Sequence, residues 1–230
     1  MKYIKLFEEW SLLEEIEYLR PDYDDEAYTA GLTKIQKVSK DLANKPVMYR
    51  GFNAITRWRS SAVLHIINNL SGGRKTFRWT DPRQKDVIAA LSTKFKMRLD
   101  PPVFTSTDES WASFFGRSHI FIPAEAKTRM IQSDLVKDIG ISVSKNTPDS
   151  EISSIIDSYY EGYKPGPNEI MVDSDDYYLI NLKHFLDSMP GKWQRQFSSI
   201  RTYGEVADMV GKRLWLWQQR KLALRASQQK

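Results

Sequence analysis

Hydrophobic positions recur at helical spacing near both ends of the chain and alternate in its middle. Ile4, Leu6, Phe7, Trp10, Leu13, Ile16 and Leu19 predict a helix over residues 4–19, which Pro21 ends. A second helix is expected from Asp24 to about Asn44, with acidic residues at its start where a helix dipole favours them. Pro46 then opens "PVMYRGF", a short apolar strand. "NLSGGRKTFRWTDP" is rich in Gly and turn residues and reads as a loop. "DPRQKDVIAALSTKF" reads as a helix begun at Asp81, with Pro82 at its first position.

Pro101 and Pro102 lead into a strand, "VFTS", and "DESWASFF" follows as a helical turn or short helix. "SHIFIP" alternates as a strand, "TPDSEISSIIDSYY" reads as a short helix and "YKPGPN" as a turn. "EIMVDSDDYYLINL" gives two strands joined by "DSDD". Tyr203 to Ala226 reads as a helix, in which Trp215 and Trp217 are expected to pack. A strand-rich middle between helical ends predicts an α+β fold. With no internal repeat or long linker, residues 1–230 read as a single domain: a helical flank over 1–45, a core over 46–185 and a basic helical flank over 186–230.

Composition narrows the chemistry. With 41% hydrophobic and 27% charged residues, the chain has the make-up of a globular protein. It has no cysteine, which excludes disulfides, thiolate catalysis and cysteine-based zinc sites. His65, His119 and His184 lie far apart and lack metal-ligand spacing, which argues against zinc. No apolar run is long enough to span a bilayer, and acids interrupt the start too early for a secretory signal. The net charge of +5 is uneven: residues 1–30 hold three Lys/Arg against nine Asp/Glu, whereas residues 211–230 hold six Lys/Arg and no acid. Two solvated helices packed on each other would explain this asymmetry, and so would a basic patch for a phosphate-bearing partner.

Three strands each carry one polar group in an apolar frame: Arg50 in "VMYRGF", Ser106 in "VFTST" and Glu169 in "GPNEIMV". Singly, each has a plain explanation, as an edge arginine, a capping serine or a solvated glutamate. Together, and in this order, they resemble the R-S-E class of mono-ADP-ribosyltransferases, a family of bacterial exotoxins, vertebrate ecto-transferases and phage enzymes. The matching segments are Tyr49-Arg50-Gly51, Ser106-Thr107 and Glu169-Ile170-Met171, and Phe114 to Pro123 resembles the family's aromatic, arginine and alternating strand. The resemblance covers roughly residues 46–182. It departs from the family pattern at Asp108, the third position of Ser-Thr-Ser, and at Pro167, two before the glutamate, where the family often has Glu or Gln. "MKYIKLFEEW" also resembles N-terminal segments of proteins packaged in T-even-like phages, which implies action in a host cytoplasm.

The resemblance implies a split β-sandwich of two antiparallel sheets around an NAD cleft, with helical flanks. It implies transfer of ADP-ribose from NAD to a macromolecule, with nicotinamide released and no metal used. Nicotinamide leaves as a neutral base, so no general acid is needed, and positive charge builds on the ribose as in glycosidases. Arg50 and Arg117 would hold the diphosphate through charge-assisted hydrogen bonds. Gly51 would let the backbone approach the carboxamide, and Phe114 would stack on the nicotinamide ring unless it is a core aromatic. Glu169 would accept from the ribose 2′-OH and stabilise the developing cation, oriented by Ser106, with Ser106 and Thr107 facing the cofactor. Tyr160, Tyr163 and Glu161 are candidates for gripping the acceptor. Arg57-Trp58-Arg59, Arg74-Lys75 and Arg78, interleaved with aromatics, suit single-stranded nucleic acid and equally an acidic protein surface. The rival readings are an NAD hydrolase on the same scaffold and a non-catalytic virion or binding protein.

Overall fold

The computed structural model describes residues 15–19, 25–52, 63–67, 81–99, 103–114, 116–135, 139–187 and 189–228. In chain order the strands are β1 (Glu15–Leu19), β2 (Met48–Phe52), β3 (Val63–Ile67), β4 (Val103–Thr105), β5 (Arg117–Pro123), β6 (Met130–Ser133), β7 (Tyr159–Glu161), β8 (Ile170–Val172) and β9 (Asp176–Ile180). The helices are α1 (Asp25–Asp41), α2 (Pro82–Phe95), α3 (Glu109–Ser113), α4 (Ile139–Ser142), α5 (Asp149–Ser158), α6 (Leu182–Asp187), α7 (Gly191–Gln196) and α8 (Tyr203–Gln228). The fold is α+β, with all strand pairs antiparallel: a five-stranded sheet in the order β1-β3-β9-β5-β2 and a four-stranded sheet in the order β4-β8-β6-β7.

Alternation within the short strands explains the layering. In β8, Ile170 and Val172 enter one hydrophobic core while Met171, pointing the other way, enters a second. Met130 and Ile131 of β6 divide between the two cores in the same way. The four-stranded sheet is therefore buried on both faces, and every position of "IMV" and "MIQS" is buried, the polar Gln132 and Ser133 included. Its outer core is closed by Val87, Ile88 and Leu91 of α2 and by Ile152 and Ile155 of α5. The larger core holds Leu32 and Ile35 of α1, Val206, Met209 and Val210 of α8, and the apolar side chains of β5 and β9.

Helix starts follow the sequence signals. Asp81 caps α2, its carboxylate accepting from Arg83 N at 2.9 Å, with Pro82 next in line. Helices α1 and α8 pack on each other, and Arg213 Nε donates to Tyr28 Oη at 3.1 Å across the pair. Trp217 lies edge-on to Tyr28 and Trp215 edge-on to Trp193, although Trp215 stays half exposed.

One expectation is corrected. Glu15–Leu19 is not the end of a helix but the edge strand β1, paired with β3. "EIEYL" alternates as readily as it follows a helical period, and the open edge of β3 decides between the two. The N-terminal flank is thus not purely helical; the rest of the predicted helix, residues 4–14, lies outside the described residues. The "NLSGGRKTFRWTDP" loop, as far as Thr80, and the clusters at Arg57–Arg59 and Arg74–Arg78 lie outside them too. Among the described residues no helix is long and apolar enough to cross a membrane.

Candidate functional site

Among the described residues the two sheets meet at one backbone bridge. Tyr49 N donates to Ser106 O at 2.7 Å and Ser106 N to Tyr49 O at 2.9 Å, joining β2 to the end of β4. On its other edge β2 pairs with β5 along Met48–Phe52, and β4 pairs with β8 along Val103–Thr105. Arg50 follows Tyr49 directly and is 5% exposed. Its guanidinium lies over the ring of Tyr177, Cζ 5.1 Å from the centroid, and His119 faces it in the β2–β5 register. Gly51 is buried opposite Ser118.

Glu169 enters the same junction from the other sheet. It precedes Ile170, which pairs with Thr105 on one side and Gln132 on the other. Ser106 follows Thr105, so Ser106 and Glu169 stand at adjoining ends of one ladder. Glu169 is 7% and Ser106 1% exposed. The structure thus brings Arg50, Ser106 and Glu169 to one seam from three strands far apart in sequence. A buried guanidinium and a buried carboxylate are tolerated when their charges are compensated.

Ser106 Oγ accepts from Asp108 N at 3.1 Å and donates to Gly166 O at 3.5 Å, a long contact. The departure at Asp108 has a local reason: its carboxylate caps α3, accepting from Ser110 N at 2.8 Å and Trp111 N at 3.1 Å. Helix α3 packs on β2 and β5. Phe114 closes it and is 77% exposed, touching Trp111 edge-on. It is therefore no core aromatic. Gly116, at φ +133, turns the chain into β5, where Arg117 is exposed.

The segment before Glu169 is held down throughout. Tyr160 Oη donates to Gln132 Oε1 at 2.5 Å, and Tyr163 Oη donates to Pro46 O at 2.8 Å. Burial pushes the Tyr163 phenol well above its usual range. Glu161 is bonded to Arg129 Nε at 2.9 Å, which holds its carboxyl below the ordinary value. Of the three residues expected to meet an acceptor, each thus has its polar group paired, Glu161 at the surface. Thr107 Oγ1 is likewise engaged, with both the N–H and the carbonyl of Gly166.

Two residues of the site carried no obvious sequence signal. Tyr177 is fully buried under Arg50, and Gln132, 2% exposed, is the lone amide in "MIQS". Burial lowers the pKa of His119, against a raising hydrogen bond to the Arg117 carbonyl and with a smaller lowering from the Arg117 charge. Among the described residues no cluster of three or more His, Asp or Glu could hold a metal ion. An open groove of about 610 Å³ along α1 and α8, lined by Glu26, Lys34, Lys37 and Lys221, includes none of the seam residues. No protein-family model, curated protein or solved structure matches this chain.

Proposed function

We propose that this protein is a mono-ADP-ribosyltransferase that moves ADP-ribose from NAD to a macromolecular acceptor. The observation that carries the reading is the seam: the Tyr49–Ser106 bridge sets Arg50 beside Ser106, and the β4–β8 ladder sets Glu169 at the same point. Arg50 would bind the diphosphate, and Arg117, exposed at the mouth of β5, would be a second phosphate contact. The exposed ring of Phe114 would stack on the nicotinamide. Glu169 would accept from the ribose 2′-OH and stabilise the positive charge that develops as the glycosidic bond breaks. Catalysis of this kind needs one placed carboxylate rather than an acid-base pair, which suits a junction with a single buried glutamate.

One observation favours hydrolysis as a second reading. Tyr160 and Tyr163 are bonded to the fold, Glu161 is paired with Arg129 at the surface, and Pro167 has no polar side chain, so each of these acceptor candidates already has a partner. Water would then take the ADP-ribose. Incubation with NAD labelled on the adenylate phosphate tests both. Label in macromolecules of a host lysate supports transfer, and free ADP-ribose as the sole product supports hydrolysis. No nicotinamide release under either condition would refute the enzyme reading.

A further inference from the structure

The segment Lys164-Pro165-Gly166-Pro167 offers few ways to be held by its backbone. Pro165 and Pro167 have no N–H, so Lys164 and Gly166 carry the only two amide donors in these four residues. Both are taken by buried or half-buried side chains of the four-stranded sheet and its neighbouring turn. Lys164 N donates to Gln132 Oε1 at 2.9 Å, and Gln132 Nε2 donates back to Lys164 O at 3.3 Å. Gly166 N donates to Thr107 Oγ1 at 2.8 Å, and Thr107 Oγ1 donates to Gly166 O at 3.0 Å. Gln132 and Thr107 thus each grip one residue at both its N–H and its carbonyl, as a partner strand would. Asn168 is fixed in turn through Nδ2 to Ser133 O at 2.8 Å. The prolines restrict φ, and each biases the residue before it to extended conformations. Gly166 adopts φ +155, where an L side chain is strained even though a Cβ there would meet nothing within 4 Å.

We propose that Thr107 and Gln132 are positioning residues: they lock the Pro-Gly-Pro segment and so fix the backbone from which Glu169 projects into the seam. Neither touches NAD in this scheme. Thr107, expected from sequence to face the cofactor, acts through Gly166 instead. Only the kinetic consequence rests on the transferase reading; the lock itself does not.

Amide hydrogen exchange over residues 164–170, combined with NAD kinetics, tests this on the full chain. Thr107→Val keeps the side-chain shape and removes both bonds. It is expected to speed exchange in this segment by about tenfold or more, the scale of losing two hydrogen bonds. It is expected to lower kcat by about tenfold while the KM for NAD stays within about threefold, because a carboxylate that acts in the transition state is displaced. Thr107→Ser keeps the hydroxyl and should restore both readouts. Gln132→Met, of similar volume, provides a second variant that should repeat the effect. Unchanged exchange in Thr107→Val and Gln132→Met, or Thr107→Ser behaving like Thr107→Val, would overturn the proposal. Faster exchange with unaltered kcat would also overturn it. A wild-type chain that never releases nicotinamide defeats the transferase reading alone, and exchange at Glu169 and Ile170 then decides the lock.

Discussion

The guanidinium of Arg50 lies over the ring of Tyr177, with Cζ 5.1 Å from the ring centroid. A cation placed this way is held in plane and in direction. Its charge must meet the diphosphate if NAD binds here. Arg50→Ala is expected to weaken NAD binding by roughly 10- to 100-fold, the worth of a charge-assisted hydrogen bond. Tyr177→Leu should weaken it less, since the charge survives but its shelf does not. Fluorescence titration with NAD reads both, and an Arg50→Ala curve matching the wild type would move the cofactor elsewhere.

Glu169→Gln keeps size and removes charge. Transfer is expected to fall to near background while NAD affinity stays within a few fold, because the carboxylate acts on charge present mainly in the transition state. Near-wild-type transfer by this variant would sink the assignment.

Phe114 is 77% exposed, so its removal leaves no cavity. Phe114→Ala should leave the melting temperature within about 2 °C of wild type while raising the KM for NAD. An unchanged KM with normal stability would show that the ring does not meet nicotinamide.

His119 titrates below its ordinary value of 6.5, chiefly because it is buried. The unfolded chain therefore takes up a proton as the pH falls through 6.5, before the folded protein does. Stability contributed by the neutral ring is full above that pH and is lost as the pH drops toward the folded pKa. Thermal melts from pH 8 to pH 5 should show wild type weakening below about pH 6.5, and His119→Gln should flatten that slope. Parallel slopes would assign the acid sensitivity to other groups.

Pro167 stands where arginine-modifying members of the resembled class carry a second glutamate, and it offers neither a base nor an N–H. Simple arginine analogues are therefore expected to be poor acceptors, with a protein favoured over a nucleic acid. Rapid labelling of agmatine would refute the first expectation. Label that resists protease but is released by nuclease would refute the second.

The sequence brought out the residues that meet at the seam more readily than those that support them. Arg50, Ser106 and Glu169 stood out because each is polar in an apolar strand, but that all three are buried is shown only by the fold. Asp81 and Asp108 were legible as the starts of helices. β3 was not, since "VLHII" is too short to tell strand from helix by period. Glu15–Leu19 was misread for the related reason that a five-residue edge strand gains its identity from its partner. Tyr177 and Gln132 stayed hidden because their roles are defined by segments more than 25 residues away, and spacing along a chain carries no record of that.

Residues 200–203 close the start of β2: Val47 N donates to Arg201 O, Tyr203 N to Lys45 O, and Tyr49 Oη to Ile200 O, the last across 151 residues. Synthesis runs from the amino end, so a nascent chain carries the strand that bears Arg50 long before the segment that braces it leaves the ribosome. The brace can close only after that segment emerges, and folding must span the 151 residues between Tyr49 and Ile200. Contacts this far apart in sequence slow folding relative to local ones.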